Sequence, residues 1–209
     1  MTHALTPICD ANAETQLQTR RDIRQHVRAL RRAISPSSQQ AFAQAAAATL
    51  LSQLQLLNAR HVALYLANDG ELDPRPLITQ LWQAGINTYL PVIHPFCAGQ
   101  LLFLHYHADT PMHANQFGIL EPKLNVSTII TPDKLDVIIT PLVAFDAQGN
   151  RMGMGGGYYD RTLSQYQTVG KPIAIGYAHD CQQIAAIPCE HWDIPLPLMV
   201  TPTRLLKFL

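Results

Sequence analysis

The sequence predicts an α/β domain with three layers, a mainly parallel sheet between helices on both faces. Three observations carry this prediction. Amphipathic helical stripes alternate with short buried apolar runs along the chain. Helix-opening signals, a capping residue followed by proline, recur at Ser35-Pro36 and Asp73-Pro74. A glycine-rich loop, "GNRMGMGGGYYDRTL" from Gly149 to Leu163, stands between an apolar run and a helix, and five of its fifteen residues are glycine. In open sheets of this class ligands sit outside the carboxyl ends of the strands, which is where this loop falls.

The elements follow in order. Ile23, Val27, Leu30 and Ile34 are spaced as one apolar stripe of a helix, which leaves the arginines for the remaining surface. Ser35 caps a second, alanine-rich helix that starts at Pro36 and runs to about Leu57. "RHVALYLA", Arg60 to Ala67, reads as a buried strand, and "NDGELD" as a loop. Asp73-Pro74 opens a helix ending near Gly85, and "NTYLPVI" is the next strand. A helix between two strands makes a right-handed parallel unit. Signals from Pro95 to Pro132 are mixed, with "LLFLHYH" as a strand. "LDVIITPLVAF" reads as a further strand, followed by the glycine loop, a helix from about Tyr158 to Gln167 and the strand "KPIAIGYA". The tail "IPCEHWDIPLPLMVT" reads as loop and short strand.

With 209 residues, 47% of them hydrophobic and 14% charged, the chain suits one compact domain, residues 16–209, behind a poorly ordered extension, residues 1–15. The net charge of zero gives no bulk attraction for duplex nucleic acid, although six of the eleven arginines fall between Arg20 and Arg32. Cys9, Cys97, Cys181 and Cys189 form no regular framework, so reduced thiols and a cytoplasmic setting are expected. Asp10 and Glu14 break up any leader-like segment, and no apolar run is long enough to span a bilayer, so no membrane association is expected.

The glycine loop has the chemistry of an anion site. Glycines let backbone N–H groups face a ligand, and a helix that starts directly after them adds unsatisfied N–H groups and the positive end of its dipole. Arg151 and Arg161 flank Gly153, Gly155, Gly156 and Gly157 and can add charge-assisted contacts. The loop has no following Gly-Lys-Ser/Thr and no G-x-G-x-x-G spacing, so it is neither a Walker motif nor a dinucleotide fingerprint. Asp160 in the first helical turn complements the helix dipole and, beside phosphate, is the oxygen ligand that Mg²⁺ uses. Tyr158 and Tyr159 are neighbours, so at most one faces the site and the other packs inward.

Assembled, these residues resemble the 5-formyltetrahydrofolate cyclo-ligase (5,10-methenyltetrahydrofolate synthetase) family from Arg20 to Thr201. The strongest element is "PLVAFDAQGNRMGMGGGYYDR", similar to the family's P-x-x-AFD-x-x-G-x-R-L-G-x-G-x-G-YYDR. "YLANDGELD", "YLP", "GILEP", "GYAHDCQQ" and "IPCEHWDIPL" support it. The resemblance implies a fold related to the NagB/RpiA/CoA-transferase group. It also implies ATP- and Mg²⁺-dependent conversion of 5-formyltetrahydrofolate to 5,10-methenyltetrahydrofolate, with release of ADP and phosphate. In place of the family's Lys-x-x-x-Arg stand Arg20 and Arg24, and Met152 replaces the usual Leu. Carried over, ATP would be bound by Arg20, Arg24, Arg151, Met152, Gly153, Met154, Gly155, Gly156, Gly157, Tyr158 and Tyr159. The folate would be bound by Glu71 and the segment from Met154 to Tyr158, and Mg²⁺ by Asp160 and Asp193. No residue is assigned as general acid or base, and a monomer acting on ATP and a reduced folate is expected.

Other readings compete. A sugar-phosphate isomerase or CoA transferase on the same fold would need no ATP. An RNA-binding module could use the arginine-rich helix, but interleaved surface aromatics for base stacking are missing. His179-x-Cys181 with Cys189-x-His191, or His105 and His107 with His113, offer zinc-ligand types without the usual spacing, and loop packing explains them better.

Overall fold

The structure, a computed structural model, describes residues 11–165 and 170–208, with side chains from residue 19 onward. The elements are α1 (Ala11–Arg32), α2 (Pro36–Leu56), β1 (His61–Ala63), α3 (Arg75–Gln83), β2 (Asn87–Ile93), β3 (Leu101–Tyr106), β4 (Met112–Ala114), β5 (Leu120–Pro122), β6 (Ile129–Ile130), β7 (Val137–Thr140), β8 (Ala144–Phe145), β9 (Arg151–Met152), α4 (Tyr158–Ser164), β10 (Ile173–Tyr177), β11 (Leu198–Val200) and β12 (Leu205–Lys207). Residues 1–10 of the expected extension lie outside the described residues, and residues 11–15 belong to α1.

Eight strands form one sheet in the order β12-β11-β10-β7-β1-β2-β3-β6. The central strands β11, β10, β7, β1 and β2 are parallel. Antiparallel β12 lies on one side; on the other, β3 runs antiparallel to β2 and β6 pairs antiparallel with β3. Two hairpins stand apart, β4–β5 and β8–β9. Strand β2 is the segment "NTYLPVI" as its sequence spells it. It tolerates Pro91 because β1 ends opposite Tyr89, which leaves only β3 beside the proline. The strand expected over residues 60–67 is shorter, since past Leu64 the chain leaves the ladder for the Asn68–Asp73 loop. The run 135–145 is not one strand. Pro141 lacks the N–H that would continue the ladder, so β7 ends before it and β8 turns into a hairpin with β9.

Side chains alternate across the sheet with the period of a strand. Val62, Val137, Ile139 and Ile175 join Leu50, Leu54, Leu77 and Leu81 of α2 and α3 on one face. Ala63, Ile138 and Ala174 join Leu163 of α4, Phe103, Leu196 and Met199 on the other. Long helices thus cover one face, while α4 and the C-terminal loop cover the second. Ser35 caps α2 by accepting the Ser38 N–H, and Pro36 takes the first helical position. Asp73 accepts the Arg75 N–H at the start of α3.

Helix α1 packs across the carboxyl end of the sheet, and its buried stripe differs from the expected one. Val27 is fully buried with Val143, Ala144, Met152 and Ile187, but Leu30 is 41% exposed and Arg31 is fully buried in its place. The exchange is possible because every side of the guanidinium finds an acceptor. Arg31 donates to the Asp69 carbonyl at 2.8 Å, to Asp69 Oδ2 at 2.9 Å and to the Leu142 carbonyl at 3.2 Å. Among the described residues no helix is long and apolar enough to cross a membrane.

Candidate active site

A cavity of about 720 Å³ opens where the carboxyl ends of β1 and β7 meet α1, large enough for a drug-sized ligand. Its walls come from α1, the Asn68–Glu71 loop, the β4–β5 hairpin, the glycine loop and the segment Glu190–Asp193, with β2, the start of β3 and the residues just after β1 and β7 between them. Of the site residues expected from sequence, Arg20, Arg24, Glu71, Arg151, Gly153, Met154, Gly155, Gly156, Gly157, Tyr158, Tyr159, Asp160 and Asp193 all line it. Met152 does not. Its side chain is fully buried in the Val27 cluster.

The glycine loop is shaped by two positive backbone angles, Gly155 at φ 102° and Gly157 at φ 66°, conformations that side-chain-bearing residues rarely adopt. Gly157 precedes α4 directly, so the first N–H groups of that helix follow the loop. A Cβ on Gly153 would meet nothing within 4 Å, whereas one on Gly156 would collide with the Tyr158 ring at 2.8 Å. Arg161 steadies the loop from outside by donating to the carbonyls of Gly99 and Gly156. Of the paired tyrosines, Tyr159 packs inward against the second core face, and burial pushes its hydroxyl pKa upward.

Three arginines converge on this loop. Arg24 donates from Nε to the Gly153 carbonyl at 2.8 Å and has no carboxylate partner among the described residues. Burial, and then the nearby charge of Arg20, lower its pKa, so a bound anion would relieve it. Arg151 is 3% exposed and holds Asp160 Oδ1 at 2.7 Å, while its buried Nε has no hydrogen-bond partner. Arg20 grips Asp193 through two bonds of 2.7 and 3.3 Å and also donates to the Pro188 carbonyl.

The two carboxylates expected to hold Mg²⁺ border the same cavity but stand differently. Asp160 Oδ1 accepts from Arg151 and, at 3.3 Å, from the Ile194 N–H, which leaves Oδ2 without a hydrogen bond. That spare oxygen beside a phosphate-type loop fits a hard cation completed by phosphate and water. Both Asp193 oxygens are committed to Arg20, and Oδ2 also accepts the Glu190 N–H at 2.9 Å. A metal contact there requires the ion pair to open.

Across the cavity, Glu71 accepts the Asn68 N–H at 3.0 Å, and its Oε1 lies 3.8 Å from Arg31. Burial raises its pKa to about 7, against the opposing pull of that bond and of the Arg31 charge. Asp69 next door has a positive φ of 54° and takes Arg28 at 2.6 Å, Arg31 at 2.9 Å, and Arg32. Despite burial, these three guanidiniums hold its pKa at about 2. Sequence reasoning did not single out Arg31 or Asp69. The four-residue step from Val27 to Arg31 was the available signal. It also assigned no role to Glu121, Phe117 or Trp192, which line the cavity as well. Glu121 sits inside the quoted "GILEP" and is held by Asn115 at 3.0 Å.

The zinc-ligand types do not converge. Among the described residues no three histidine, cysteine or carboxylate groups could hold a metal together. His179 is buried edge-on against Phe42, and His105 packs edge-on against Tyr89.

Residues 16–202 match the model of the 5-formyltetrahydrofolate cyclo-ligase family. A 5-formyltetrahydrofolate cyclo-ligase of Escherichia coli K12 is 52% identical over 178 residues, which is 85% of this chain and 97% of that one. One from Haemophilus influenzae is 47% identical over 86% of this chain and 95% of its own. Among solved structures, the 5,10-methenyltetrahydrofolate synthetase of Aquifex aeolicus superposes with a TM-score of 0.77 at 28% identity, covering 90% of this chain and 92% of that one.

Proposed function

The chain belongs to the 5-formyltetrahydrofolate cyclo-ligase family, and from that premise and the geometry of its cavity we propose how its residues divide the work. The enzyme uses ATP to convert 5-formyltetrahydrofolate to 5,10-methenyltetrahydrofolate, with ADP and phosphate as the other products. Family membership leaves no place for the sugar-phosphate isomerase or CoA-transferase reading. The observation that carries the site assignment is the single cavity, which joins a glycine loop ringed by arginines to a half-buried carboxyl, Glu71. Two substrates can therefore lie side by side.

The loop from Gly153 to Gly157, with Arg20, Arg24 and Arg151, would hold the triphosphate. The backbone supplies donors, and Arg24 and the orphaned Arg151 Nε supply cations that still lack an acceptor. Glu71 would take the pterin N–H groups, and Tyr158 and Met154 would border the folate. Asp160 would hold Mg²⁺ through its free oxygen; the ion contributes neutralisation of phosphate charge. Asp193 would act first by orienting Arg20.

A formyl amide is a poor electrophile. When its oxygen takes the γ-phosphoryl group of ATP, an imidate phosphate forms and ADP departs. N10 then attacks the activated carbon and the ring closes; N10 gives up its proton to solvent, and phosphate leaves with the oxygen. The protein's tasks are alignment, charge stabilisation and exclusion of water, which need no dedicated acid–base pair. We place this chemistry in a cytoplasmic monomer.

The test is to incubate the protein with 5-formyltetrahydrofolate, ATP and Mg²⁺ and follow the absorbance of the methenyl product. Product should form only when all three are present. Product without ATP, or none with it, overturns the reading.

A further inference from the structure

We propose that the indole of Trp192 is the surface on which the adenine ring of ATP stacks, which makes Trp192 a binding determinant for the nucleotide base. This rests on the ATP reading above and assigns the part of the nucleotide that the glycine loop and its arginines leave unheld.

Trp192 lines the cavity and is 55% exposed. Bare indole surface is costly to hydrate, and a flat ligand laid on it removes that cost. The ring is also braced. It meets His191 with centroids 4.5 Å apart and an angle of 74° between the planes, and this one neighbour can occupy at most one indole face. The turn that carries it is closed from both ends. The Asp193 N–H donates to the Glu190 carbonyl at 3.0 Å, and the Glu190 N–H donates to Asp193 Oδ2 at 2.9 Å. A ring held in this way loses little freedom when it is stacked upon.

Position decides which ligand ring it takes. The tyrosines of the cavity are engaged elsewhere. Tyr65 is buried and donates to the Leu72 carbonyl at 2.7 Å, Tyr159 packs inward, and Tyr158 has the Arg161 guanidinium 5.7 Å from its centroid. Phe117 is exposed, but it stands in the turn of the β4–β5 hairpin, on a different wall. Trp192 adjoins the cations instead. Asp193, the next residue, takes Arg20 at 2.7 Å. Arg24 reaches the glycine loop at the Gly153 carbonyl, and Arg20 lies about one turn, or roughly 6 Å, further along α1. A triphosphate that starts on the loop and passes these two guanidiniums brings its base to Trp192. Stacking needs only a π-face, so the indole grips the base without reading its edge.

The test uses a non-hydrolysable ATP analogue and inorganic tripolyphosphate, each with Mg²⁺, on the unaltered enzyme and on Trp192→Leu and Trp192→Phe. The chain has one other tryptophan, Trp82, which packs on Tyr106 and His107 and does not line the cavity. Tryptophan fluorescence therefore reports on Trp192. The analogue should quench it and tripolyphosphate should not, and the quench should vanish in Trp192→Leu. By calorimetry Trp192→Leu should raise the Kd of the analogue at least about fivefold, while Trp192→Phe, which keeps a π-face, should stay within about threefold of the parent. The Kd values for tripolyphosphate and for 5-formyltetrahydrofolate should not change. Equal quenching by the analogue and tripolyphosphate overturns the proposal, as does an unchanged Kd for the analogue in Trp192→Leu. A raised Kd for the folate with the analogue unaffected gives the indole to the folate and also overturns it. Tripolyphosphate separates the two levels: if neither it nor the analogue binds the unaltered enzyme, the ATP site itself is wrong, and this inference falls with it.

Discussion

Glu71 ties the ionisation of one carboxyl to both folding and substrate binding. Burial raises its pKa to about 7, so between the ordinary carboxylate range and that value the folded chain binds a proton that the unfolded chain releases. Stability from this group is complete at low pH and is lost as pH rises through the window. Glu71→Gln removes the titration and keeps an oxygen for the Asn68 N–H. It should be more stable than its parent by roughly 2–3 kcal/mol at pH 8, and urea midpoints should converge as pH falls toward 4.5. A gap that is the same at both pH values sinks the assignment. The same variant should bind the folate poorly, because the amide sets an NH2 donor where the carboxylate offered its second acceptor oxygen to the pterin N–H groups. Asp160 makes the complementary case. Asp160→Asn still offers Arg151 an acceptor, so it should stay folded, yet kcat should drop by on the order of 10²-fold or more if charge neutralisation at phosphate depends on it. Turnover of the variant at saturating Mg²⁺, measured beside its melting curve, decides the matter. Unchanged kcat would leave Asp160 as a partner of Arg151 and nothing more.

At the scale of elements, the glycine loop was legible because its chemistry is local: glycine spacing, flanking arginines and the helix behind it are all contiguous in sequence. The strand "NTYLPVI" and the cap at Ser35 were legible for the same reason. Arg31 was not, because the acceptors that permit its burial, Asp69 and Leu142, lie 38 and 111 residues away. The β4–β5 hairpin escaped notice because each strand is only three residues long, too short to carry an alternation. Which glycines bend the loop was also beyond the sequence. Gly155 and Gly157 carry the positive angles, and Gly156 does not. That distinction isolates function from folding. Gly153→Ala introduces neither strain nor a clash, since its angle is ordinary and nothing stands within 4 Å of the added carbon. Its melting temperature should therefore be unchanged. Calorimetric titration with a non-hydrolysable ATP analogue should nonetheless show affinity reduced by about tenfold or more, because the methyl group occupies space meant for phosphate oxygens. Full affinity would make the loop a tight turn without a ligand.

At the scale of the whole molecule, α1 acts as a strap across the carboxyl end of the sheet. Three of its described side chains are buried: Val27 among Val143, Ala144, Met152 and Ile187, Arg31 against Asp69 and Leu142, and Arg20 against Pro188 and Asp193. Arg20 and Arg24, about two turns and one turn before Val27 respectively, line the cavity. Packing at one end therefore positions charge at the other. The main core between α2, α3 and the sheet reaches the cavity through Tyr65 and Leu66, whereas Leu54 belongs to that core and does not line the cavity. A pair of substitutions separates the two roles. Leu54→Ala should cost about 2–5 kcal/mol of stability, the usual range for a buried leucine. Its folded population should bind an ATP analogue as the parent does. Val27→Ala removes less volume and should cost about 1–3 kcal/mol, yet it should also weaken the analogue, since α1 can then shift relative to the glycine loop and lengthen the 2.8 Å bond from Arg24 to Gly153. Urea melts give the first quantity, and calorimetry on protein kept well below its unfolding midpoint gives the second. If Val27→Ala keeps parental affinity while losing stability, α1 is anchored elsewhere. If both variants lose affinity in proportion to stability, the cavity is an expression of the whole core and the strap has no separate role.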